Sequence, residues 1–197
     1  MSALVPRADA RLDRDRSVLL VVDVQERLAP HVAGVDALIA HAGALVAAAR
    51  RVGIPMFLTE HCPAQLGPVV APLRNAFETA NIFEKTRFGA GDHPEFEARL
   101  RATGRTQVVV AGMEAHVCVM QTVLGLATRG FAPFVVADAT GSRAAHALDR
   151  DLALARMRDA GATIVGTEMA LFEWARAGDD PAFRDLLALV KGLDARA

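Results

Sequence analysis

The sequence predicts an α/β fold in which helices cover both faces of a parallel β-sheet. Strand-like runs alternate with helical patterns along most of the chain, and the strand candidates are almost unbroken aliphatic segments. Residues 17–24 read Ser-Val-Leu-Leu-Val-Val-Asp-Val, and residues 108–111 read Val-Val-Val-Ala. Runs of this kind are typical of strands buried on both faces. We therefore predict a three-layer α/β domain with six parallel strands in the order 3-2-1-4-5-6.

Proline and glycine mark the ends of the predicted elements. An alanine-rich helix ends before Gly53, Pro94 stands at the first position of another helix, and Gly161 has the position of a C-cap. The helix over 144–159 is expected to place Leu148 and Leu152 near one face with Met157. The predicted strands are residues 17–24, 54–58, 81–84, 107–111, 131–137 and 162–165, and the predicted helices are residues 35–51, 94–102, 116–128, 144–159, 167–175 and 181–193.

Composition limits the class of protein. Residues 1–16 alternate in charge and lack periodic apolar residues, so we expect an exposed N-terminal arm followed by a single domain over 17–197. A net charge of -1 and the lack of a basic block argue against nucleic acid or an anionic membrane as a partner. Two cysteines cannot form a disulfide framework, and no signal peptide or long apolar span is visible. We expect free thiols and a cytoplasmic location.

Cys118 is a candidate nucleophile because of its predicted place at the start of a helix. The residues that follow His116 are apolar around almost the whole helix circumference, so this helix should be central. Unpaired N–H groups and the positive end of the helix dipole favour an anion there and should lower the thiol pKa. The alternative is that Cys118 packs as a small hydrophobic residue, as many free cysteines do.

Asp23 and Lys85 are candidates for the same crevice. Asp23 interrupts an aliphatic strand near its carboxyl end, where it either caps a loop or serves chemistry. Lys85 is one of two lysines among 22 basic residues, and the other 20 are arginine. A lysine in such a chain is a candidate for a role that the planar guanidinium of arginine cannot fill. In the predicted strand order, the carboxyl ends of strands 1, 3 and 4 lie near the point where strand order reverses. Ligands bind at that point in sheets of this kind.

Three segments resemble the signature segments of the isochorismatase-like cysteine hydrolases. They are Val-Val-Asp23-Val-Gln25, Glu-Lys85-Thr-Arg-Phe and Gly112-Met-Glu-Ala-His-Val-Cys118-Val. The resemblance implies a catalytic triad of Asp23, Lys85 and Cys118. It also implies a non-proline cis peptide between Met113 and Glu114, and an oxyanion hole formed by the backbone N–H groups of Glu114 and Cys118.

This resemblance implies hydrolysis of a small amide, imide or related C–N carbonyl compound through a covalent thiol intermediate. The ammonium of Lys85 would favour the thiolate, and Asp23 would take the thiol proton and pass it to the leaving group. A homo-oligomer is also expected from the family. We assign Gln25 to a supporting role beside Asp23. The expected pocket walls are Leu28, Phe88, Met113 and His116. Of these, Leu28, Phe88 and Met113 could equally be ordinary core residues.

Departures from the family pattern argue against a metal. Members that hydrolyse nicotinamide carry an Asp-x-His metal segment after strand 2, whereas residues 59–62 here read Thr-Glu-His-Cys. Neighbouring side chains on a loop diverge, and no second histidine follows His61 at i+3 or i+4. The chain resembles an uncharacterised metal-free subgroup, so we expect no cofactor and no metal at Glu60 or His61. The alternatives are a metal-assisted nicotinamidase-type amidase and a non-catalytic scaffold. A nucleotide-binding module is disfavoured because no glycine-rich fingerprint follows strand 1.

Overall fold

A six-stranded parallel sheet forms the centre of the computed structural model, which describes residues 11–195. The strand order is 3-2-1-4-5-6, as the sequence predicts. All pairings between neighbouring strands are parallel. The strands are β1 (Ser17–Val22), β2 (Met56–His61), β3 (Ile82–Lys85), β4 (Gln107–Met113), β5 (Ala132–Gly141) and β6 (Thr163–Val165).

Helices cover both faces of this sheet. The helices α1, α7 and α8 pack on one face, and α4, α5 and α6 pack on the other. Within residues 11–195, no helix is long and apolar enough to cross a membrane. The helices are α1 (Val35–Arg51), α2 (Pro63–Leu66), α3 (Ala71–Arg74), α4 (Pro94–Ala102), α5 (Met120–Thr128), α6 (Ala147–Asp159), α7 (Thr167–Ala175) and α8 (Phe183–Asp194).

The strand β1 shows why the central sequence is almost continuously aliphatic. Its six residues are all buried. Leu19 and Val21 pack under α1 and α7, whereas Leu20 and Val22 pack under α4 and α5. Successive side chains of a strand point to opposite faces, so a strand covered on both faces needs apolar residues at every position.

The strand β4 runs past the point where the sequence places its end. Gly112 is expected to terminate the strand, but β4 continues to Met113. Gly112 has a φ of 127° and pairs with Val22 of β1. A Cβ atom on Gly112 would lie 2.0 Å from the Val22 carbonyl oxygen. Glycine is therefore required here by the close approach of two backbones inside the sheet.

Two further expectations differ from the structure. Leu148 and Leu152 of α6 are 71% and 58% exposed, so the prediction that they share a face with buried Met157 is wrong. Residues 1–10 of the expected N-terminal arm, which spans residues 1–16, lie outside the described residues. Within residues 11–16, Leu12 is buried in the core, and Arg14 donates to Asp180 at 2.8 Å. These residues pack against the domain because Leu12 fills the core beside α7.

Candidate active site

Three predicted side chains meet at the carboxyl edge of the sheet. Asp23 follows β1, Lys85 ends β3, and Cys118 lies in the turn after β4. All three are buried. Asp23 and Lys85 lie close enough to Cys118 for their charges to act on its thiol. The topology thus brings together residues that are up to 95 positions apart in the sequence.

Asp23 is held at the end of β1 by hydrogen bonds to β2 and β3. Its φ of 51° is left-handed, which turns the chain out of the strand, and its N–H donates to the Thr59 carbonyl at 3.1 Å. The Thr59 hydroxyl donates to Asp23 Oδ1 at 2.7 Å, and Lys85 Nζ donates to Asp23 Oδ2 at 2.6 Å. Both carboxylate oxygens therefore have fixed partners, as a buried carboxylate requires.

The ammonium group of Lys85 is fully hydrogen-bonded. Besides its bond to Asp23, Nζ donates to the carbonyl oxygens of Phe88 at 3.0 Å and Arg87 at 3.3 Å. An ammonium group has three N–H donors, and each has an acceptor here. The loop that follows β3 therefore folds back over its own lysine and supplies two of its three acceptors.

Cys118 lies in a π-helical turn, Ala115–Val119, rather than in the first turn of an α-helix. The Glu114 carbonyl accepts from the N–H groups of Val117 and Val119, and α5 begins at Met120. The Cys118 side chain is buried and remains close to Asp23 and Lys85. Single π-turns are often found at functional sites.

The surroundings of the Cys118 thiol raise its pKa. Burial raises its pKa, the negative charge of Asp23 raises it further, and the opposing effect of Lys85 is smaller. The expected net lowering of this pKa is wrong: Lys85 does lower it, but burial and the charge of Asp23 raise it more. The thiol proton therefore lies next to a carboxylate that can accept it.

The peptide bond between Met113 and Glu114 is cis, as the family resemblance implies. The Glu114 side chain is buried, and its Oε2 accepts from the backbone N–H of Arg143 at 3.0 Å and from Arg143 Nε at 2.9 Å. Burial raises the pKa of Glu114, but these two hydrogen bonds and the Arg143 charge lower it more, so the net shift is downward. Glu114 is therefore an ionised anchor of the turn that carries Cys118.

Met113 does not line the crevice. Its side chain is fully buried in the core under α1 and α7, whereas Cys118 packs with the residues of the opposite sheet face. Met113 therefore packs in the core and does not line the pocket as expected. Successive side chains of β4 point to opposite faces of the sheet, and this one points away from the thiol.

The other expected pocket and supporting residues surround the β1–β3 side of the crevice. Gln25 is fully buried, and its side-chain amide bonds to the N–H and carbonyl of His61 and to the Gly67 carbonyl. Leu28 is half-buried against the core. Phe88 is 47% exposed, and its ring lies 5.1 Å from that of His61. Phe88 therefore stands at the open rim.

His61 is a neutral ring beside the triad. Burial lowers its pKa, and the positive charge of Lys85 lowers it further. Its Nδ1 is buried without a hydrogen-bond partner among the residues that the structure describes. The neighbouring Glu60 accepts from Val69 N–H at 2.8 Å and from Arg74 Nε at 2.9 Å. Glu60 and Thr59 are thus both bonded to other protein groups.

His116 lies on the β5 side of the crevice and bonds to neighbouring side chains. Its Nδ1 is 2.9 Å from the hydroxyl of buried Ser142, and its ring stacks on that of His146 at 5.0 Å. Within residues 11–195, one group of three or more potential metal-ligating side chains has its ligand atoms within 4.8 Å of one another. The group comprises His116, His146 and Asp149.

Two contributors to the site are missing from the sequence prediction, Thr59 and Arg143. Thr59 is a polar residue near the carboxyl end of an aliphatic strand, the same signal that identifies Asp23. That signal could have found Thr59. Arg143 follows the Asp138-Ala-Thr-Gly-Ser142 segment, and its pairing with Glu114 depends on a distant contact that the sequence pattern does not reveal.

Comparison with known proteins places the fold and its motifs in one family. The family model described as the isochorismatase domain matches residues 17–169. A curated relative, the secreted isochorismatase effector Isc1 of Phytophthora sojae, is 33% identical over 186 residues. That match covers 92% of this chain and 87% of the relative.

Several solved structures have a fold similar to that of this chain. MAR1 ribonuclease from Caenorhabditis elegans has a TM-score of 0.86 and 34% identity, with coverage of 92% of this chain and 93% of that chain. YcaC from Pseudomonas aeruginosa, solved with hexane-2,5-diol and covalent acrylamide, has a TM-score of 0.84 and 30% identity, with coverage of 94% and 96%. YcaC from Escherichia coli, described as an octameric hydrolase of unknown specificity, has a TM-score of 0.82 and 27% identity, with coverage of 95% and 98%.

The family model covers well over half of the chain, and the sheet order is the one predicted from the sequence pattern. The chain therefore belongs to the isochorismatase family and has the fold of its hydrolases.

Proposed function

We propose that the protein is a cysteine hydrolase that cleaves a C–N bond in a small amide, imide or related carbonyl compound. Asp23, Lys85 and Cys118 are the proposed catalytic residues. The observation that carries the proposal is a buried thiol close to a carboxylate whose second oxygen accepts from a buried ammonium at 2.6 Å. Nucleophile, base and orienting group thus stand in the arrangement that covalent catalysis needs.

The first half of the reaction forms a thioester. Asp23 takes the Cys118 proton as sulfur attacks the substrate carbonyl carbon, which leaves a negative charge on the carbonyl oxygen. Asp23 then gives this proton to the substrate nitrogen, the C–N bond breaks, and an amine or ammonia leaves. Lys85 keeps the Asp23 carboxylate oriented throughout, because its three N–H donors already have acceptors.

The second half returns the enzyme to its starting state. Asp23 takes a proton from water as the water oxygen attacks the thioester carbon. The C–S bond then breaks, the carboxylic acid leaves, and the proton returns to sulfur.

Backbone N–H groups are the proposed stabilisers of the oxyanion in both halves. The groups assigned are those of Glu114 and Cys118. The fixed Glu114 side chain and the π-turn support this assignment, because they hold both peptide groups in place before substrate binds. Preorganised donors of this type stabilise the transition state most when they need no rearrangement.

The open rim supports a small substrate. Phe88 and Leu28 are the proposed apolar walls, His61 offers a neutral ring face beside Phe88, and His116 is the proposed wall on the β5 side. The covalent acrylamide in YcaC from Pseudomonas aeruginosa supports an amide-sized ligand, since that relative shares the fold at 30% identity. The ribonuclease name of the Caenorhabditis elegans neighbour is not transferred, because this chain has a net charge of -1.

Assembly and location follow as secondary proposals. We propose a single domain over residues 17–197 that forms a homo-oligomer in the cytoplasm with a small molecule as its partner. The octameric YcaC relative supports the oligomer, and the two free cysteines are compatible with a reducing compartment. Light scattering of the purified full chain measures the oligomeric state, and a monomer at micromolar concentration would contradict it.

Parallel turnover assays of the wild type, Cys118→Ala and Cys62→Ala test the catalytic proposal. The substrates are a panel of small amides, imides and carbamates. For any substrate that is turned over, Cys118→Ala should lose at least about 10³-fold in kcat, whereas Cys62→Ala should retain wild-type turnover. Wild-type turnover by a folded Cys118→Ala variant would overturn the proposal.

Acrylamide labelling adds a readout that does not require the natural substrate. In the Cys62→Ala background, one acrylamide adduct should form at Cys118. Adding Asp23→Asn should slow its formation at least about tenfold, because the thiol then lacks its base. Equal rates with and without Asp23→Asn would contradict the role of Asp23.

A further inference from the structure

We propose that His116, His146 and Asp149 bind a divalent transition-metal ion of the zinc type. The ligand atoms of these three side chains lie within 4.8 Å of one another, and each side chain is half-buried. The thiol route uses no metal, so this site is additional to the proposed catalytic triad.

The three residues come from two elements that face each other at the crevice. His116 belongs to the π-turn that carries Cys118, whereas His146 directly precedes α6 and Asp149 lies in its first turn. The two imidazole rings are stacked, with centroids 5.0 Å apart and planes inclined by 17°. An ion shared by these side chains would join the turn of the nucleophile to α6.

An existing hydrogen bond orients His116, whereas His146 is bonded to Asp149, which would exchange this bond for one to the ion. His116 Nδ1 lies 2.9 Å from the hydroxyl of buried Ser142, and His146 Nδ1 lies 2.7 Å from Asp149 Oδ2. Metal-binding histidines usually have one ring nitrogen bonded to a hydroxyl, carbonyl or carboxylate, which fixes the tautomer and the ring direction. Ser142 is the proposed outer partner of His116.

The donor set selects the class of ion. Two imidazoles and one carboxylate suit zinc, cobalt, nickel and related ions, whereas magnesium and calcium prefer oxygen ligands throughout. Ligands around one such ion lie about 3.0–3.4 Å apart, given bond lengths of about 2.0–2.1 Å. To bind one ion, the ligand atoms of the three side chains therefore need to move closer together by about an ångström. Rotation about a side-chain torsion supplies this movement, and the partial exposure of the three residues permits it.

Asp149 has a specific electrostatic role in the proposed site. The N-terminus of α6 carries partial positive charge, which opposes a bound cation. The carboxylate of Asp149 lies in that first turn and offsets the charge. Asp149→Asn should therefore weaken binding even though the side chain keeps its size.

Cobalt titration of the chelator-treated full chain tests the proposal. Co²⁺ is the probe, and its visible absorption reports coordination by protein ligands. We expect one Co²⁺ per chain, displaced by Zn²⁺, with affinity reduced at least about tenfold in His116→Gln, His146→Asn and Asp149→Asn. The control is His61→Asn, which removes the histidine of the 59–62 segment and should leave cobalt affinity unchanged.

Thermal unfolding of each variant without metal provides the folding check. Saturating Zn²⁺ should raise the Tm of the wild type and of His61→Asn, and this rise should disappear in His146→Asn. Cobalt binding that is lost in His61→Asn, or that is unchanged in both His116→Gln and His146→Asn, would overturn the site. Because none of these readouts measures turnover, failure here would leave the thiol hydrolase proposal untouched, and the reverse also holds.

Discussion

The two sides of the crevice are built by different means. On the β1–β3 side, Asp23 and Lys85 are positioned by side-chain hydrogen bonds and charge, with Thr59 and two loop carbonyls completing the set. On the β4 side, Cys118 is positioned mainly by the backbone, through the close packing of Gly112 against Val22 and the π-turn, and the Glu114–Arg143 pair is the charged contact that anchors this turn. Changes on the β4 side should therefore act mainly through sterics, and those on the β1–β3 side mainly through unpaired charge or lost hydrogen bonds.

The largest effect is expected from Gly112→Ala on the backbone side. A Cβ atom would lie 2.0 Å from the Val22 carbonyl oxygen, and the φ of 127° is strained for any residue with a side chain. We expect the free energy of unfolding to fall by about 5 kcal/mol, from overpacking plus backbone strain. Urea denaturation measures this loss. Gly192→Ala is the matched control, since nothing lies within 4 Å of its Cβ position. Equal stabilities for the two variants would contradict the steric argument.

The next largest effect is expected from Lys85→Met on the charged side. Removing the ammonium leaves the Asp23 carboxylate buried with no cation, which should lower the free energy of unfolding by about 3–5 kcal/mol. Adding Asp23→Leu should restore much of that loss, because the unpaired charge is then gone. Lys191→Met removes an exposed lysine and should be neutral. A double variant less stable than Lys85→Met alone would refute this reading of the pair.

A smaller effect is expected from Gln25→Leu, also on the β1–β3 side. The change removes hydrogen bonds to the N–H and carbonyl of His61 and to the Gly67 carbonyl. We expect a loss of about 2–3 kcal/mol, because these groups are left without partners where Gln25 is fully buried. Chemical denaturation should show little change for Gln65→Leu at a nearby exposed position. A loss as small as that of the control would mean that water replaces the amide.

The smallest effect is expected from Glu114→Gln, and it should depend on pH. The pKa of Glu114 is lowered below 4.5 in the folded protein by Arg143, which outweighs burial. A depressed folded pKa stabilises the protein above the unfolded pKa, and this stabilisation is lost as the pH falls. The wild type should exceed Glu114→Gln by about 1 kcal/mol at pH 7, and the difference should shrink below pH 4.5.

Unfolding measured from pH 7 to pH 3 checks this difference, with Glu84→Gln as an exposed control. A gap between wild type and Glu114→Gln that widens as the pH falls would show that the sign of the Glu114 shift is opposite.

The same contrast explains what the sequence could predict. The strand order follows from aliphatic runs that alternate with helices, Asp23 is found as a charge that interrupts such a run, and Lys85 is found as one of two lysines among 22 basic residues. The direction of the Cys118 pKa shift could not be predicted, because it depends first on how deeply the thiol is buried and then on the balance between the charges of Asp23 and Lys85. Likewise, the exposure of Leu148 and Leu152 contradicts the pattern, since helical spacing identifies a face without saying what covers it.

The saturated ammonium of Lys85 has a practical consequence for anyone studying the protein in solution. Its nitrogen is enclosed by a carboxylate and two carbonyls, so amine-reactive dyes should not modify it. They should modify Lys191, the chain's other lysine, on the exposed surface of α8. The molecule thus offers a single side-chain amine for attaching a fluorophore without touching the crevice.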